Sequence, residues 1–209
     1  MTKLFFLLLL LGHISFGQTI IRGVNTIYTD SINGDSVNNS PNHVFNDRIK
    51  LVQIDKSSAT VDIRLYRLHS LSNTKTLRRL FLVDTTWCAV EYDEWNKPVK
   101  IKKYKLKAKS NFASLFSQLL SYNILTLPNQ SDLKNKMRKV VGVDEDGYEI
   151  LKAFHVTDGE SYTIEIRIGS NYRVYQFSNP DSYAKVYENV SELKDYKNIV
   201  QTFDNLYRK

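Results

Sequence analysis

Apolar and polar residues alternate along several short stretches of the first half of the chain, which is the pattern of half-buried β-strands. A turn is expected at 55–59, and Asn96-Lys97-Pro98 marks a second break. Because short turns join successive strands, the pattern predicts an antiparallel meander. The predicted strands are 49–53, 61–68, 80–83, 87–95 and 99–106.

Three more alternating runs follow in the second half, at 148–157, 160–168 and 172–178. Asp158-Gly159 lies between the first two and predicts a two-residue hairpin turn. That turn would place Leu151, Ala153 and His155 on one face with Tyr162, Ile164, Ile166, Tyr175 and Phe177. The opposite face would carry Lys152, Glu165 and Arg167. We therefore expect one face to be core and the other to be polar, as in a sheet covered on one side.

Helical spacing replaces alternation in three places. Apolar residues recur three and four positions apart from Phe112 to Leu120, behind Ser110 as a predicted N-cap. Pro180 predicts a second helix start, with Tyr183, Val186, Tyr187 and Val190 on one stripe. A third helix is predicted from Ser191, with a stripe of Leu193, Tyr196, Val200, Phe203 and Tyr207. The fold class is α+β: antiparallel β meanders with a central amphipathic helix and C-terminal helices packed on the sheet.

The first residues of the chain have the pattern of an export signal. Lys3 precedes an apolar run from Leu4 to Leu11, which is short for a membrane-spanning helix, and Ser15 and Gly17 are small. We expect cleavage after Gly17 and a secreted or periplasmic protein with no transmembrane segment after signal cleavage. An uncleaved anchor or a buried N-terminal helix is the alternative. The predicted organisation is a signal peptide at 1–17, a flexible lead-in at 18–48 and a single α+β domain at 49–209.

Composition limits which covalent cross-links, metal sites and catalytic sites the chain can form. Without Lys3 the chain has 28 basic and 22 acidic residues, a formal net charge of +6. Cys88 is the only cysteine, so an internal disulfide and a cysteine-based zinc site are excluded, and its strand context predicts a buried thiol. His43, His69 and His155 lack metal-ligand spacing, and no catalytic motif is present. We expect His155 to be a structural core residue, and no cofactor or metal is predicted.

Seven lysines lie between Lys97 and Lys109, interrupted by apolar residues. One interpretation is an anion-binding ribbon made of Lys100, Lys102, Lys103, Lys105 and Lys107. For an exported protein its partner would be an anionic envelope component, such as lipopolysaccharide, anionic lipid or an acidic glycan, rather than nucleic acid. The alternative is an edge strand whose lysines discourage edge-to-edge pairing.

Eight tyrosines lie in the last third of the chain, and most fall on predicted core stripes. Tyr172 beside Arg167 is the exception, and we predict a partner-binding surface there.

The second half also carries a set of local patterns: Asp158-Gly-Glu-Ser-Tyr-Thr-Ile-Glu165, Tyr172-Arg-Val-Tyr175, Phe177-Ser-Asn-Pro180 and the segment from Leu193 to Phe203. This tail, about the last 60 residues, resembles uncharacterised exported proteins of Gram-negative bacteria. The resemblance implies localisation and a shared fold, and it implies no activity, substrate or catalytic residue.

Two functions are open from the sequence. The first is a non-catalytic binding module for a protein or a cell-envelope component. The second is a hydrolase-like enzyme that uses surface carboxylates such as Asp93, Glu94, Asp144 or Glu145. Two of these carboxylates together in a deep pocket would favour the enzyme, whereas their exposure on separate turns would favour the binding module.

Overall fold

The structure is a computed structural model that describes residues 42–72, 74–95, 100–152 and 154–209. The predicted signal peptide at 1–17, the lead-in as far as residue 41 and the turn at 96–98 lie outside these ranges. Within them, no helix is both long and apolar enough to cross a membrane.

Nine strands of the described residues form two antiparallel sheets. Their bounds are β1 Val61–His69, β2 Thr74–Val83, β3 Thr86–Trp95, β4 Lys100–Lys107, β5 Val140–Val143, β6 Glu149–Leu151, β7 Glu160–Ile168, β8 Asn171–Ser178 and β9 Tyr207–Arg208. Seven of them form the main sheet in the order β8-β7-β1-β2-β3-β4-β9, and β5 pairs with β6 in a separate hairpin. The predicted meander is confirmed for β1 to β4, and the predicted β7–β8 hairpin is confirmed as well.

The described residues also form four α-helices and two short 3-10 helices. They are α1 His43–Arg48, α2 Phe112–Ser121, α3 Pro180–Val186 and α4 Ser191–Asp204, with 3-10 turns at Ile54–Lys56 and Gln130–Leu133. The expected Ser110 N-cap of α2 is wrong by one residue. Asn111 caps the helix instead, because its side-chain oxygen accepts a hydrogen bond from the Ser114 N–H at 2.8 Å.

One face of the main sheet is packed against helices, and we call it the apolar face. Ile63, Leu80 and Ile164 are fully buried there with Leu119 of α2 and Phe203 of α4. This arrangement confirms the α+β class with helices packed on the sheet. The stripe of the last helix ends earlier than predicted, since Tyr207 lies in β9 and is exposed.

The centre of the opposite face, which we call the ionic face, is also buried, and the expectation that only one face is covered is wrong. Residues 42–59 lie across it, and Phe45 of α1 packs edge-on against Tyr66 with ring centroids 6.4 Å apart. Arg64 and Glu165 are buried beneath this segment. Alternation therefore predicted which residues are polar on this face, but it did not predict that a remote segment would cover them.

The charges buried on the ionic face form one connected network. Arg79 donates two hydrogen bonds to Asp62, both of 2.8 Å, and Ser57 donates a third of 2.6 Å. Arg64 donates to Asp62 at 3.0 Å, to Glu165 at 3.2 Å and to the Val52 carbonyl at 2.9 Å. Burial by itself would raise the pKa of Asp62, but the hydrogen bonds and charges of the two arginines lower it below its ordinary value.

Two predicted strands are wrong. Residues 49–53 form no strand, because this segment crosses the ionic face and uses its Val52 carbonyl to accept from Arg64. Among the described residues of the run at 148–157, only those of the short β6 form a strand, and β6 pairs with β5. The predicted hairpin at Asp158-Gly159 does not form, because β7 pairs with β1 along nine residues and with β8 on its other edge. The edge of β7 that the predicted hairpin would use is thus occupied by β1, which is distant in sequence.

Candidate ligand-binding cleft

A cleft of about 990 Å³ lies where β1 ends and β7 begins. The ends of β1, β7 and β8 form its floor through residues such as Arg67, Tyr162 and Phe177. Its walls come from the 129–139 connection, from the segment that follows β6, and from Tyr183 and Tyr187 at α3. Its volume is at the upper end of the range for small-molecule sites.

Positive groups line this cleft without acidic ones. Among the described residues that form its walls there is no aspartate or glutamate. The cationic side chains are Arg67, Lys75, Lys134, Arg138, Lys139 and Lys152, and the lining also includes His155. Cations that converge on one concavity raise the local concentration of anions there.

The cations of the cleft differ in how far the protein already neutralises them. Arg67 pairs with Asp204 at 2.6 Å, and Arg138 pairs with Glu149 at 3.3 Å. Three lysines, Lys134, Lys139 and Lys152, have no carboxylate within 4.0 Å in the described part of the chain. The three are solvent-exposed and are therefore the charges most accessible to a ligand.

Two of these lysines are held side by side at the base of the β5–β6 hairpin. The backbone N–H of Lys152 donates to the Lys139 carbonyl at 2.8 Å, just beyond the last pair of the hairpin. Lys134 follows the 3-10 turn 130–133 on the same wall of the cleft. The hairpin and the connection thus bring lysines from distant positions to one site.

Lys75 and Tyr162 sit deeper, and burial changes their acidity. Burial lowers the pKa of Lys75, although the charge of Glu94 opposes the effect. Burial and a hydrogen bond to Glu160 raise the pKa of Tyr162, so its hydroxyl is neutral at physiological pH. The Arg67 guanidinium lies over the Tyr162 ring, 5.3 Å from its centroid.

Aromatic rings form the apolar part of the lining. Tyr162 stacks on Phe177 with centroids 5.1 Å apart, and this pair is buried in the floor. Phe154 meets Tyr183 edge to face at 5.7 Å, and Tyr183 stacks on Tyr187 at 6.3 Å. Phe154 and Tyr183 are only half-buried, so both rings can still contact a ligand.

Two amide side chains are fixed in place beside the rings. The Asn129 side-chain oxygen accepts from the Gln176 N–H at 3.0 Å, and the Gln130 oxygen accepts from the Ser178 N–H at 2.6 Å. These bonds protect the outer edge of β8. The NH₂ groups of both amides have no protein acceptor among the described residues and are available as donors at the cleft.

The lysine ribbon predicted from the sequence has a different geometry. Side chains of Lys100 and Lys102 lie on one face of β4, and those of Lys103, Lys105 and Lys107 lie on the other, as the pairing register with β3 requires. All five are exposed. Two of them rest on neighbouring rings, Lys102 on Trp95 at 5.6 Å and Lys103 on Tyr92 at 5.3 Å. The ribbon does not converge on one point, and anion binding by it stays a prediction.

The other predicted surface pair, Arg167 and Tyr172, occupies opposing positions on β7 and β8. The Arg167 guanidinium donates to the Asp55 carbonyl and so helps to hold the segment that covers the ionic face. Both residues are half-buried. Partner binding by this pair also stays a prediction.

The carboxylates that a hydrolase would use are separated from the cleft. None of Asp93, Glu94, Asp144 and Glu145 lines it. Asp93 pairs with Arg208 at 2.7 Å and Glu94 pairs with Arg48, whereas the other two lie in the exposed β5–β6 turn. In the part of the chain that is described, no group of three or more histidine, cysteine or acidic residues could hold a metal ion.

Two single-residue expectations need correction at this site. His155 is not a core residue opposite Tyr162, because the strand ends at Leu151 and leaves this histidine exposed in the cleft wall. Cys88 is half-buried rather than fully buried. The cleft itself was missed, and the only local signal for it was the run of basic and amide residues from Asn129 to Lys139.

Comparison with protein-family models, curated proteins and solved structures gives no match to this chain.

Proposed function

We propose that this protein is an exported, non-catalytic binding module, and that its cleft takes an anionic component of the cell envelope. The observation that carries the proposal is the lining of the cleft: six lysine and arginine side chains, no carboxylate among the described residues, and aromatic rings beside them. An anion placed there meets complementary charge on several sides.

The absence of an assembled acid–base pair at the cleft favours binding over catalysis. Its histidine, His155, has no hydrogen-bonding partner among the described residues, whereas a catalytic base is normally oriented by a second group. Tyr162 is held neutral by burial and by Glu160. The same lining is adequate for holding a charged ligand.

Export and binding are tested together on the chain expressed with its own first 17 residues. The protein is recovered from the exported fraction, and Gln18 is the expected N-terminal residue. Titration calorimetry then measures affinity for lipopolysaccharide, phosphatidylglycerol vesicles and oligogalacturonate. We expect binding of at least one of these anions, weakened as salt rises.

Two charge-matched variants locate the site. One carries Lys134→Gln, Lys139→Gln and Lys152→Gln, and the other carries Lys100→Gln, Lys102→Gln and Lys103→Gln. Each removes three positive charges, so non-specific attraction falls equally in both. The cleft variant should bind about tenfold more weakly, at roughly 0.5 kcal/mol for each exposed cation, and the ribbon variant should bind within about twofold of the unaltered chain.

Three results would overturn the proposal. Loss of affinity in the ribbon variant alone would move the site to β4. No binding of any of the three anions at low salt would remove the binding function. Mass-spectrometric detection of cleaved ligand after incubation would replace the binding module with an enzyme.

A further inference from the structure

Several groups in the cleft are hydrogen-bond donors whose ability to accept is absent or already used. Lys134, Lys139 and Lys152, which have no carboxylate partner among the described residues, donate and cannot accept, and the NH₂ groups of Asn129 and Gln130, which have no acceptor there, also donate. A ligand that satisfies them must present many acceptor oxygens as well as negative charge. Such a ligand is rich in carboxylate and hydroxyl oxygens.

The positions of the amides are fixed before any ligand arrives. Each of their oxygens is already bonded to a backbone N–H of β8, which holds the side chain against the edge of the sheet. Donors fixed in this way lose little conformational entropy on binding. This arrangement suits hydroxyl groups at defined positions better than it suits a mobile headgroup.

Two half-buried rings, Phe154 and Tyr183, supply flat apolar surface within the same cleft. Sugar rings have an apolar face of C–H groups and a rim of hydroxyls, so they stack on aromatic rings while their rims bond to polar groups. The presence of rings and donors in one open cleft fits a short chain of sugars.

An acyl chain fits the same site poorly. A lipid tail needs a dry apolar channel, whereas this cleft is open to solvent and its lining combines apolar side chains with six cationic ones. The deeper floor is closed by the stack of Tyr162 on Phe177, and Phe177 in turn stacks on Tyr196 at 4.5 Å.

We propose that the cleft binds an acidic oligosaccharide, with uronate carboxylates paired to Lys134, Lys139 and Lys152 and with sugar rings stacked on Phe154 and Tyr183. This inference rests on the proposed function, because it names the chemical class of the anion that the cleft takes. The proposal gives the rings of Phe154 and Tyr183 a direct role in ligand recognition.

The test uses a galacturonic acid hexamer as the probe and the same hexamer with its carboxylates methyl-esterified as the neutral control. We expect binding of the acid form and a loss of at least about tenfold for the ester. Phe154→Leu keeps an apolar side chain but removes the ring, and it should weaken binding of the acid form about threefold to tenfold. Tyr183→Phe keeps the ring and should bind as the unaltered chain does.

Different negative results distinguish an error in the saccharide class from an error in the proposed anion-binding function. If phosphatidylglycerol vesicles bind in a manner that needs the cleft lysines while the hexamer does not bind, the saccharide class is wrong and the binding module stands. If hexaglutamate binds as tightly as the hexamer and Phe154→Leu has no effect on either, the cleft recognises an acidic peptide and the inference is wrong. If no anion binds, both proposals fail. Thermal unfolding of each variant establishes that a lost affinity is not a lost fold.

Discussion

On the helix-covered face of the sheet, Ile63, Leu65 and Ile164 pack against other apolar side chains, whereas on the opposite face their sequence neighbours Arg64 and Glu165 are buried in a network of ions. The side chains at the centre of both faces are buried, but burial has a different free-energy cost on each face. Apolar side chains gain free energy on burial, and buried charges must be compensated by partners in good geometry. The ionic face is therefore the more sensitive to loss of a single group.

The largest effect should come from removing the cation at the centre of the ionic face. Arg64→Met keeps much of the side-chain volume but leaves Glu165 without its guanidinium partner and Asp62 with one arginine fewer. We expect the free energy of unfolding to fall by about 3–5 kcal/mol, measured by urea denaturation.

The matched control is an ion pair that is exposed. Lys136 pairs with Glu192, and its side chain is 60% exposed. Lys136→Met should change the free energy of unfolding by less than about 1 kcal/mol. If Arg64→Met costs no more than Lys136→Met, the network on the ionic face contributes nothing to stability.

A somewhat smaller loss of stability is expected from a substitution on the apolar face. Ile164 is fully buried and adjacent in sequence to Glu165, so the two residues probe opposite faces at one level of β7. Ile164→Ala should lower the free energy of unfolding by about 2–4 kcal/mol, and Ile164→Val by about 1 kcal/mol. Because this loss arises from lost packing, it should not vary with pH. A strong pH dependence of the Ile164→Ala effect would contradict the distinction between the faces.

The smallest effect is the pH dependence of the ionic face. The pKa of Asp62 in the folded protein lies below its ordinary value of 3.8, so its contribution to stability is present above that pH. It is lost as the pH falls through the lowered pKa, because the folded carboxylate must then take up a proton. Urea denaturation from about pH 5 to about pH 2 should therefore show a falling free energy of unfolding, with a shallower slope in Asp62→Asn.

Glu192 provides a comparison for that slope. A hydrogen bond from Lys136 lowers the pKa of Glu192, but this carboxylate lies near the surface. Glu192→Gln should alter the acid slope less than Asp62→Asn does, because solvent screens its ion pair. Equal slopes in the two variants would mean that burial of the Asp62 network does not matter to the titration.

Much of the main sheet could be predicted from local pattern. The bounds of β7 were predicted to the residue, and the helix from Phe112 was displaced by a single position at its N-cap. The hairpin at Asp158-Gly159 could not be excluded from the sequence, because a local turn and a distant partner strand compete for the same edge of β7. The nine-residue pairing with β1 decides that competition, and it joins residues about 100 positions apart.

Charge density along the chain was a poor guide to the candidate site. The five lysines of β4 are close in sequence, but alternation sends them to two faces of the strand. Lys134, Lys139 and Lys152 are spread over a polar connection and a hairpin, yet they line one cleft with Arg67. Whether lysines converge on one site depends on how distant segments pack together. Their spacing along the sequence does not predict it.

The class of fold, most strands of the main sheet, the three longer helices and the polarity of each face can be read from the sequence, because all of these follow from the period at which apolar residues recur. Which polar residues are buried and where cations meet depends on tertiary packing. Residues 42–59 cover Arg64 and Glu165, and the 129–155 region surrounds the ends of β1, β7 and β8. Both outcomes depend on contacts between distant segments, which the periodicity of a single chain does not encode.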